Sequence, residues 1–226
     1  MSMETNGIQR LDPVAGLKWL RAQIRPRVGR TLVGIDGVNG SGKTAFADEL
    51  GGLLEESGLT VIRISLDDYL NPQSVRYAQG QRSAKGYFED SYNQERFLTD
   101  VLEPLRSDGS GCYRTAAYDL ASETPVASPM RVAPDNAVVI IDGMFMHRSD
   151  YWRSPTDRVW NLSVWLDVSF SEAYRRLAER DGVNPDPNDP SNERYYQGQL
   201  LYLAKCEPEK RADIVVDNSA RHEDID

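Results

Sequence analysis

Thr31-Leu-Val-Gly-Ile-Asp-Gly37-Val-Asn-Gly-Ser-Gly-Lys43-Thr44 joins an apolar run to a glycine-rich turn that ends in Gly-Lys-Thr. Glycine, four residues, then Gly-Lys-Thr is the phosphate-binding P-loop pattern, and it counts only between a strand and a helix. Both are expected here. The apolar run reads as a buried strand, and a helix over about Lys43 to Glu56 stops at Ser57-Gly58. A triphosphate needs many donors at close range, and only a glycine-rich turn lets successive backbone N–H groups crowd one anion. Gly37, Asn39, Gly40, Ser41, Gly42, Lys43 and Thr44 are therefore the expected nucleotide-binding set. Lys43 can reach the β- and γ-phosphates, Thr44 can offer its hydroxyl to Mg²⁺, and the helix aims its N-terminal dipole at the phosphates.

Outward from this turn, strands alternate with helices. Leu11, Val14, Leu17, Leu20 and Ile24 recur at helical spacing with Pro26 as a stop, which predicts an amphipathic helix over about residues 11–25. Thr60 to Leu66 is a β-branched run ending in Asp67-Asp68-Tyr69, so both acids fall at the carboxyl edge where open α/β sheets hold ligands. Asn71 to Asn93 is polar and aromatic and reads as a substrate-side insertion rather than core; Gln94 to Leu105 reads as helix. Further strands are expected near Tyr118-Asp119, over Ala137 to Asp142 and over Val159 to Val168. Ser171 to Arg180 reads as a helix capped by Ser171, leading into a Gly/Pro/Asp-rich stretch expected to be mobile. Glu193 to Lys205 is a helix, and Ala212 to Val216 a last strand before a frayed tail. This alternation predicts an α/β fold with a doubly wound parallel sheet. Its core spans about residues 30–216 in one domain of 1–226, with a lid over about 176–193.

Composition narrows the partners. The chain has 226 residues and a net charge of −9, without the basic footprint that binding a nucleic-acid polymer leaves. The first nine residues lack a secretory pattern, and no apolar stretch approaches the roughly 18 residues that span a bilayer. A soluble, cytoplasmic protein with a small-molecule partner and no membrane is expected. Cys112 and Cys206 lack partners at metal-ligand spacing and read as buried or half-buried small side chains.

Several residues could carry chemistry. Asp67, first off its strand, can accept a proton from an attacking hydroxyl and order the waters of a metal; the alternative for the pair Asp67-Asp68 is a turn cap. Asp142, ending the most apolar strand, sits where P-loop enzymes complete a Mg²⁺ shell, so Thr44, Asp67 and Asp142 form the expected metal set. Arg176 and Arg180 share a helix face beside the lid and could bring positive charge over the moving phosphoryl group, the alternative being pairs with Glu172 or Glu179. The catalytic set is then Asp67, Lys43, Arg176 and Arg180. Asp67, Tyr69, Asp90, Tyr118 and Asp119, with Phe88, Tyr92 and Asn93, are candidates for the acceptor pocket. His147 and His222 stand alone and suggest no role.

Together, the P-loop, Ser65-Leu-Asp67-Asp-Tyr, Tyr118-Asp119, Ile140-Ile-Asp142-Gly-Met, Arg176-Leu-Ala-Glu-Arg180-Asp181 and Arg211-Ala-Asp-Ile-Val-Val216 resemble the uridine kinase and phosphoribulokinase family of P-loop kinases, from about Arg30 to Val216. The resemblance implies ATP- and Mg²⁺-dependent transfer of the γ-phosphoryl group to a hydroxyl, in uridine kinases the 5′-hydroxyl of uridine or cytidine. It implies Asp67 as general base, Lys43 and Thr44 as phosphate and Mg²⁺ contacts, and Arg176 and Arg180 as lid arginines. Three departures stand out. Asp142 replaces the usual Glu, Ser122-Glu-Thr-Pro125 replaces a base-recognising His-Ser-Arg, and the lid lacks Arg-Gly-Arg. The family also holds kinases for pantothenate, nicotinamide riboside and sugar phosphates, and its members are often homo-oligomers. The competing classes are a GTPase switch, which reads guanine through Asn-Lys-x-Asp and finds no Asn-Lys pair here, and a regulatory nucleotide-binding module without transfer.

Overall fold

The computed structural model describes residues 8–25, 28–149 and 158–219. The expected helix stop at Pro26, the N-terminal segment through Gly7 and the tail with His222 lie outside the described residues.

β1 (Gln9–Leu11) precedes α1 (Pro13–Gln23), and β2 (Thr31–Gly37) runs into the P-loop and α2 (Lys43–Glu56). β3 (Val61–Ser65) ends in a single 3-10 turn, Leu66–Tyr69, and the insertion that follows holds α3 (Gln73–Arg76) and α4 (Ala84–Asp90). α5 (Gln94–Phe97) continues through a π turn, Leu98–Leu102, into α6 (Glu103–Leu105). Two small antiparallel hairpins follow: β4 (Cys112–Tyr113) pairs with β7 (Arg131–Val132), enclosing β5 (Tyr118–Asp119) paired with β6 (Thr124–Pro125). β8 (Val138–Asp142), β9 (Leu162–Asp167), α7 (Phe170–Asp181), α8 (Glu193–Cys206), α9 (Pro208–Arg211) and β10 (Ile214–Asp217) complete the chain.

Six strands form one parallel sheet in the order β1-β10-β9-β2-β8-β3. β2 is buried at all seven positions, as a strand covered on both faces must be. Its alternate residues feed two cores. Val33 and Ile35 join Leu17 and Leu20 of α1 and Phe46, Leu50 and Leu54 of α2, while Leu32 joins Ile62, Ile64, Ile141, Phe145 and Tyr202 on the opposite face. This two-sided cover fixes the carboxyl edge of the sheet, where the P-loop, Asp67 and Asp142 emerge.

Some expectations are corrected. The first helix starts at Pro13, because Asp12 accepts from Ala15 N at 2.8 Å and caps it; Leu11 belongs to an edge strand, and Val14 is exposed. α7 is capped by Ser169, whose hydroxyl accepts from Glu172 N, not by Ser171. Tyr118-Asp119 lies outside the main sheet. The 71–93 insertion is partly core, since Phe88 and Tyr92 are buried among Tyr69, Phe97 and Phe145. Cys112 is exposed, whereas Cys206 is buried.

Candidate active site

The P-loop wraps the start of α2. Gly40 and Gly42 hold φ of +77° and +87°, and a Cβ on Gly40 would fall 2.4 Å from the Ala173 carbonyl. A side chain there is therefore excluded by backbone conformation and by space. Ser41 Oγ is buried without a hydrogen-bond partner inside this turn, and Lys43 Nζ donates to the carbonyls of Gly37 and Val38 at 3.1 and 3.0 Å. Burial pulls the Lys43 ammonium below its ordinary pKa, while the carboxylates of Asp67, Asp36 and Asp142 oppose that shift. A cation folded onto carbonyls next to an unpartnered hydroxyl is chemistry suited to phosphate oxygens, and the cradle fits a triphosphate.

Thr44 and Asp142, two of the three residues expected to hold a metal, meet. Thr44 Oγ1 donates to Asp142 Oδ2 at 2.9 Å, and Arg63 Nη2 donates to Asp142 Oδ1 at 3.0 Å. Both Asp67 and Asp142 lie close enough for their charges to bear on Lys43, and among the described residues no group of three or more His, Cys, Asp or Glu side chains could hold a metal ion. That suits Mg²⁺, which is held by one or two protein oxygens together with water and substrate phosphates.

Asp67 stands apart from its neighbour. Its Oδ1 accepts from Tyr92 Oη at 2.8 Å, and it lines a cavity of about 200 Å³ with Asn39, Tyr77, Tyr87, Tyr195 and Arg76. Asp68 lies outside that lining; burial raises its carboxyl, and the charges of Asp67, Asp142 and Asp119 add to the shift. The P-loop and the cavity are tied together. Asn39 Nδ2 donates to Tyr87 Oη at 2.9 Å and Asn39 N to Gln199 Oε1 at 2.7 Å.

Of the eight acceptor candidates, Asp67 and Tyr92 line the cavity and six are elsewhere, Phe88 in the core and Asn93 at the start of α5, where its side chain accepts from Arg96 N at 3.1 Å. Tyr69 is fully buried, edge-on to Phe97, with its hydroxyl donating to the Arg114 carbonyl at 2.9 Å. Asp90 accepts from Gln79 Nε2, and Asp119 accepts from Ala121 N and Ser122 Oγ, the turn-cap arrangement. Tyr118 Oη donates to Glu123, whose other oxygen pairs with Arg76, so Tyr118 reaches the cavity only through that arginine. The tyrosines at 77, 87 and 195 were missed because they join the cavity from the segment after α3, from α4 and from α8, respectively; Tyr77 Oη and Tyr195 Oη stand 3.4 Å apart across 118 residues of chain.

The two arginines of α7 diverge. Arg180 pairs with Asp181 and lies close enough for its charge to bear on Asp67 and Lys43. Arg176 pairs with Glu172 and donates to the carbonyls of Asn218 and Ser219, the surface alternative for that residue, and the structure does not bring it to Asp67. The loop after Gly182 is knitted by its own side chains: Asn192 Nδ2 donates to the carbonyls of Asn184 and Asp186, and Asn184 Nδ2 to Asp189. His147 is not solitary. Its Nδ1 lies 2.9 Å from the buried Asp36 carboxylate, which also accepts from Tyr202 Oη and from the backbone of Gly37 and Met146.

No protein-family model matches the chain. It is 27% identical over 175 residues to nicotinamide riboside kinase 1 of Homo sapiens, covering 76% of this chain and 74% of that protein. It is also 27% identical over 150 residues to a uridine kinase of Leuconostoc citreum, covering 66% and 68%. A solved structure described as a possible uridine kinase from Bacillus stearothermophilus superposes with a TM-score of 0.69 at 25% identity, over 90% of this chain and 98% of that one. No helix among the described residues is long and apolar enough to cross a membrane.

Proposed function

We propose that this chain, a member of the uridine kinase and phosphoribulokinase family of P-loop kinases, transfers the γ-phosphoryl group of ATP to a hydroxyl of a nucleoside, with uridine or cytidine as the leading acceptor. The observation that carries the reading is Asp67, which faces a tyrosine-walled cavity of about 200 Å³ beside the P-loop. Tyrosine faces suit a planar base, and a carboxylate in the cavity lining suits an attacking hydroxyl.

In this reading ATP seats its β- and γ-phosphates on the backbone of 37–44, and Lys43 leaves the carbonyls of Gly37 and Val38 to meet them. Thr44, with Asp142 behind it, would hold Mg²⁺, which when bound would neutralise charge on the phosphate oxygens. Asp67 takes the acceptor's hydroxyl proton, and the Tyr92 hydroxyl fixes which carboxylate oxygen is presented. Arg180 adds positive charge from α7. Its bond to Asp181 must loosen for it to do so.

Nicotinamide riboside is the second acceptor, favoured by the longer match to nicotinamide riboside kinase 1 than to the uridine kinase. Both are ribosides with a planar ring. The reading is tested by coupled ADP release with Mg²⁺ and ATP against uridine, cytidine, nicotinamide riboside, pantothenate, ribulose 5-phosphate and simple sugars. Release that depends on a nucleoside supports it. Release with a sugar alone discards the nucleoside, and release indifferent to every acceptor leaves a nucleotide-binding regulatory ATPase.

A further inference from the structure

Arg63 is the one charged residue of β3, Val61-Ile-Arg-Ile-Ser65, half-buried on the face it shares with Val61 and Ser65, while Ile62 and Ile64 are buried on the other. A half-buried arginine in such a run needs a reason, because ordering and desolvating a guanidinium is costly unless its donors are matched. The matches are specific. Nε donates to Asp48 Oδ1 of α2 at 3.0 Å, Nη1 to the Ile140 carbonyl at 3.1 Å, and Nη2 to Asp142 Oδ1 at 3.0 Å. The guanidinium is thus pinned at three points, and the carboxylate it grips is 4% exposed and is one of those expected to hold a metal.

The consequence runs through hydrogen-bond direction. With Oδ1 of Asp142 tied to Arg63, Oδ2 is left to accept the Thr44 hydroxyl proton at 2.9 Å. A hydroxyl whose proton is committed to a carboxylate turns its lone pairs away from it. Those lone pairs are what a hard cation requires from Thr44. Asp142 is also a short side chain with one methylene, so its carboxylate cannot reach far, and its rotation about that methylene decides whether Thr44 is oriented at all.

We infer that Arg63 is a positioning residue for the nucleotide-bound Mg²⁺: it locks the Asp142 carboxylate so that the Thr44 hydroxyl presents a lone pair to the ion. This rests on the kinase reading of the site. Outer-shell groups of this kind change metal affinity by ~10–100-fold when removed.

The test is calorimetric titration of ADP into the whole chain, with Mg²⁺ and with EDTA, in wild type, Arg63→Met, Arg63→Lys and Asp48→Asn. Arg63→Met keeps the apolar stem, and its ADP affinity in EDTA should match wild type while the gain from Mg²⁺ shrinks by ~10–100-fold. Arg63→Lys should restore part of that gain. Asp48 is 66% exposed, so Asp48→Asn endangers the fold little and should give a smaller loss of the same sign. An undiminished or larger gain from Mg²⁺ in Arg63→Met overturns the inference; if that variant does not fold, an unchanged gain in Asp48→Asn and Arg63→Lys together does so. Wild type whose ADP affinity ignores Mg²⁺ would instead remove the kinase reading beneath it.

Discussion

Gly198→Ala sets two effects against each other in the helix pair that lines the cavity beside Asp67. Gly198 lies in the interior of α8, where alanine is favoured over glycine by ~1 kcal/mol. A Cβ there would fall 2.6 Å from Cδ1 and 3.1 Å from Cβ of Tyr87, and 3.0 Å from the Ala84 carbonyl of α4. Ordinary contact begins at 3.4 Å, so the ring must retreat by about 3.4 − 2.6 = 0.8 Å. It has little room, because Phe145 and Tyr195 press on it edge-on at centroid distances of 5.5 and 5.0 Å. Overpacking of this kind costs ~1–3 kcal/mol, so the clash outweighs the propensity gain and leaves a net loss of ~1 kcal/mol. For a chain of this size that lowers Tm by ~2–4 °C. The functional effect should be larger. Tyr87 both lines the cavity and holds Asn39, and a displacement approaching 1 Å near a reacting centre can cost up to ~100-fold. Initial-rate kinetics should show kcat/KM for the acceptor down by ~10-fold or more, with KM for ATP near wild type. A higher Tm with unchanged acceptor kinetics would refute the packing argument.

Asp67→Asn should leave ATP binding nearly intact and lower kcat by ~10²–10⁴, the range for losing a general base; wild-type turnover in that variant would remove Asp67 from the chemistry. Glu172 gives a pH signature. Hydrogen bonds from Arg175, with Arg176 second, draw its carboxyl from 4.5 down to about 2, so its contribution is complete above about pH 4.5 and fades as pH falls toward 2. Denaturant unfolding of wild type and Glu172→Gln should therefore differ at pH 7 and converge near pH 2. A gap of the same size at both pH values contradicts the assignment.

What the sequence made legible is what neighbouring residues decide. The P-loop, α2 with its bounds and the placement of Asp67 and Asp142 at strand ends follow from glycine spacing and apolar runs within a dozen residues. Caps were less certain, since Ser169 and Ser171 offer the same hydroxyl two residues apart and only the backbone chooses. Leu11 fits a helical spacing, but Asp12 and Pro13 start the helix after it and free 9–11 to pair with β10. The cavity beside Asp67 was illegible for another reason. Its wall joins Asn39, Tyr77, Tyr87 and Tyr195, residues that no local pattern links, while the better-signalled Tyr69, two residues beyond Asp67, faces the core. Arg63 did leave a signal, a single charge within a β-branched run, but its partners on α2 and β8 appear only once the sheet is assembled.

The most direct test of the account follows the phosphorus itself. Purified protein is incubated with Mg²⁺ and ATP labelled in its γ-phosphate, together with uridine, cytidine or nicotinamide riboside, and the labelled product is identified by mass. The account predicts label on a nucleoside monophosphate, abolished when the nucleoside is omitted. Label found only in inorganic phosphate, with every nucleoside recovered unchanged, would contradict it.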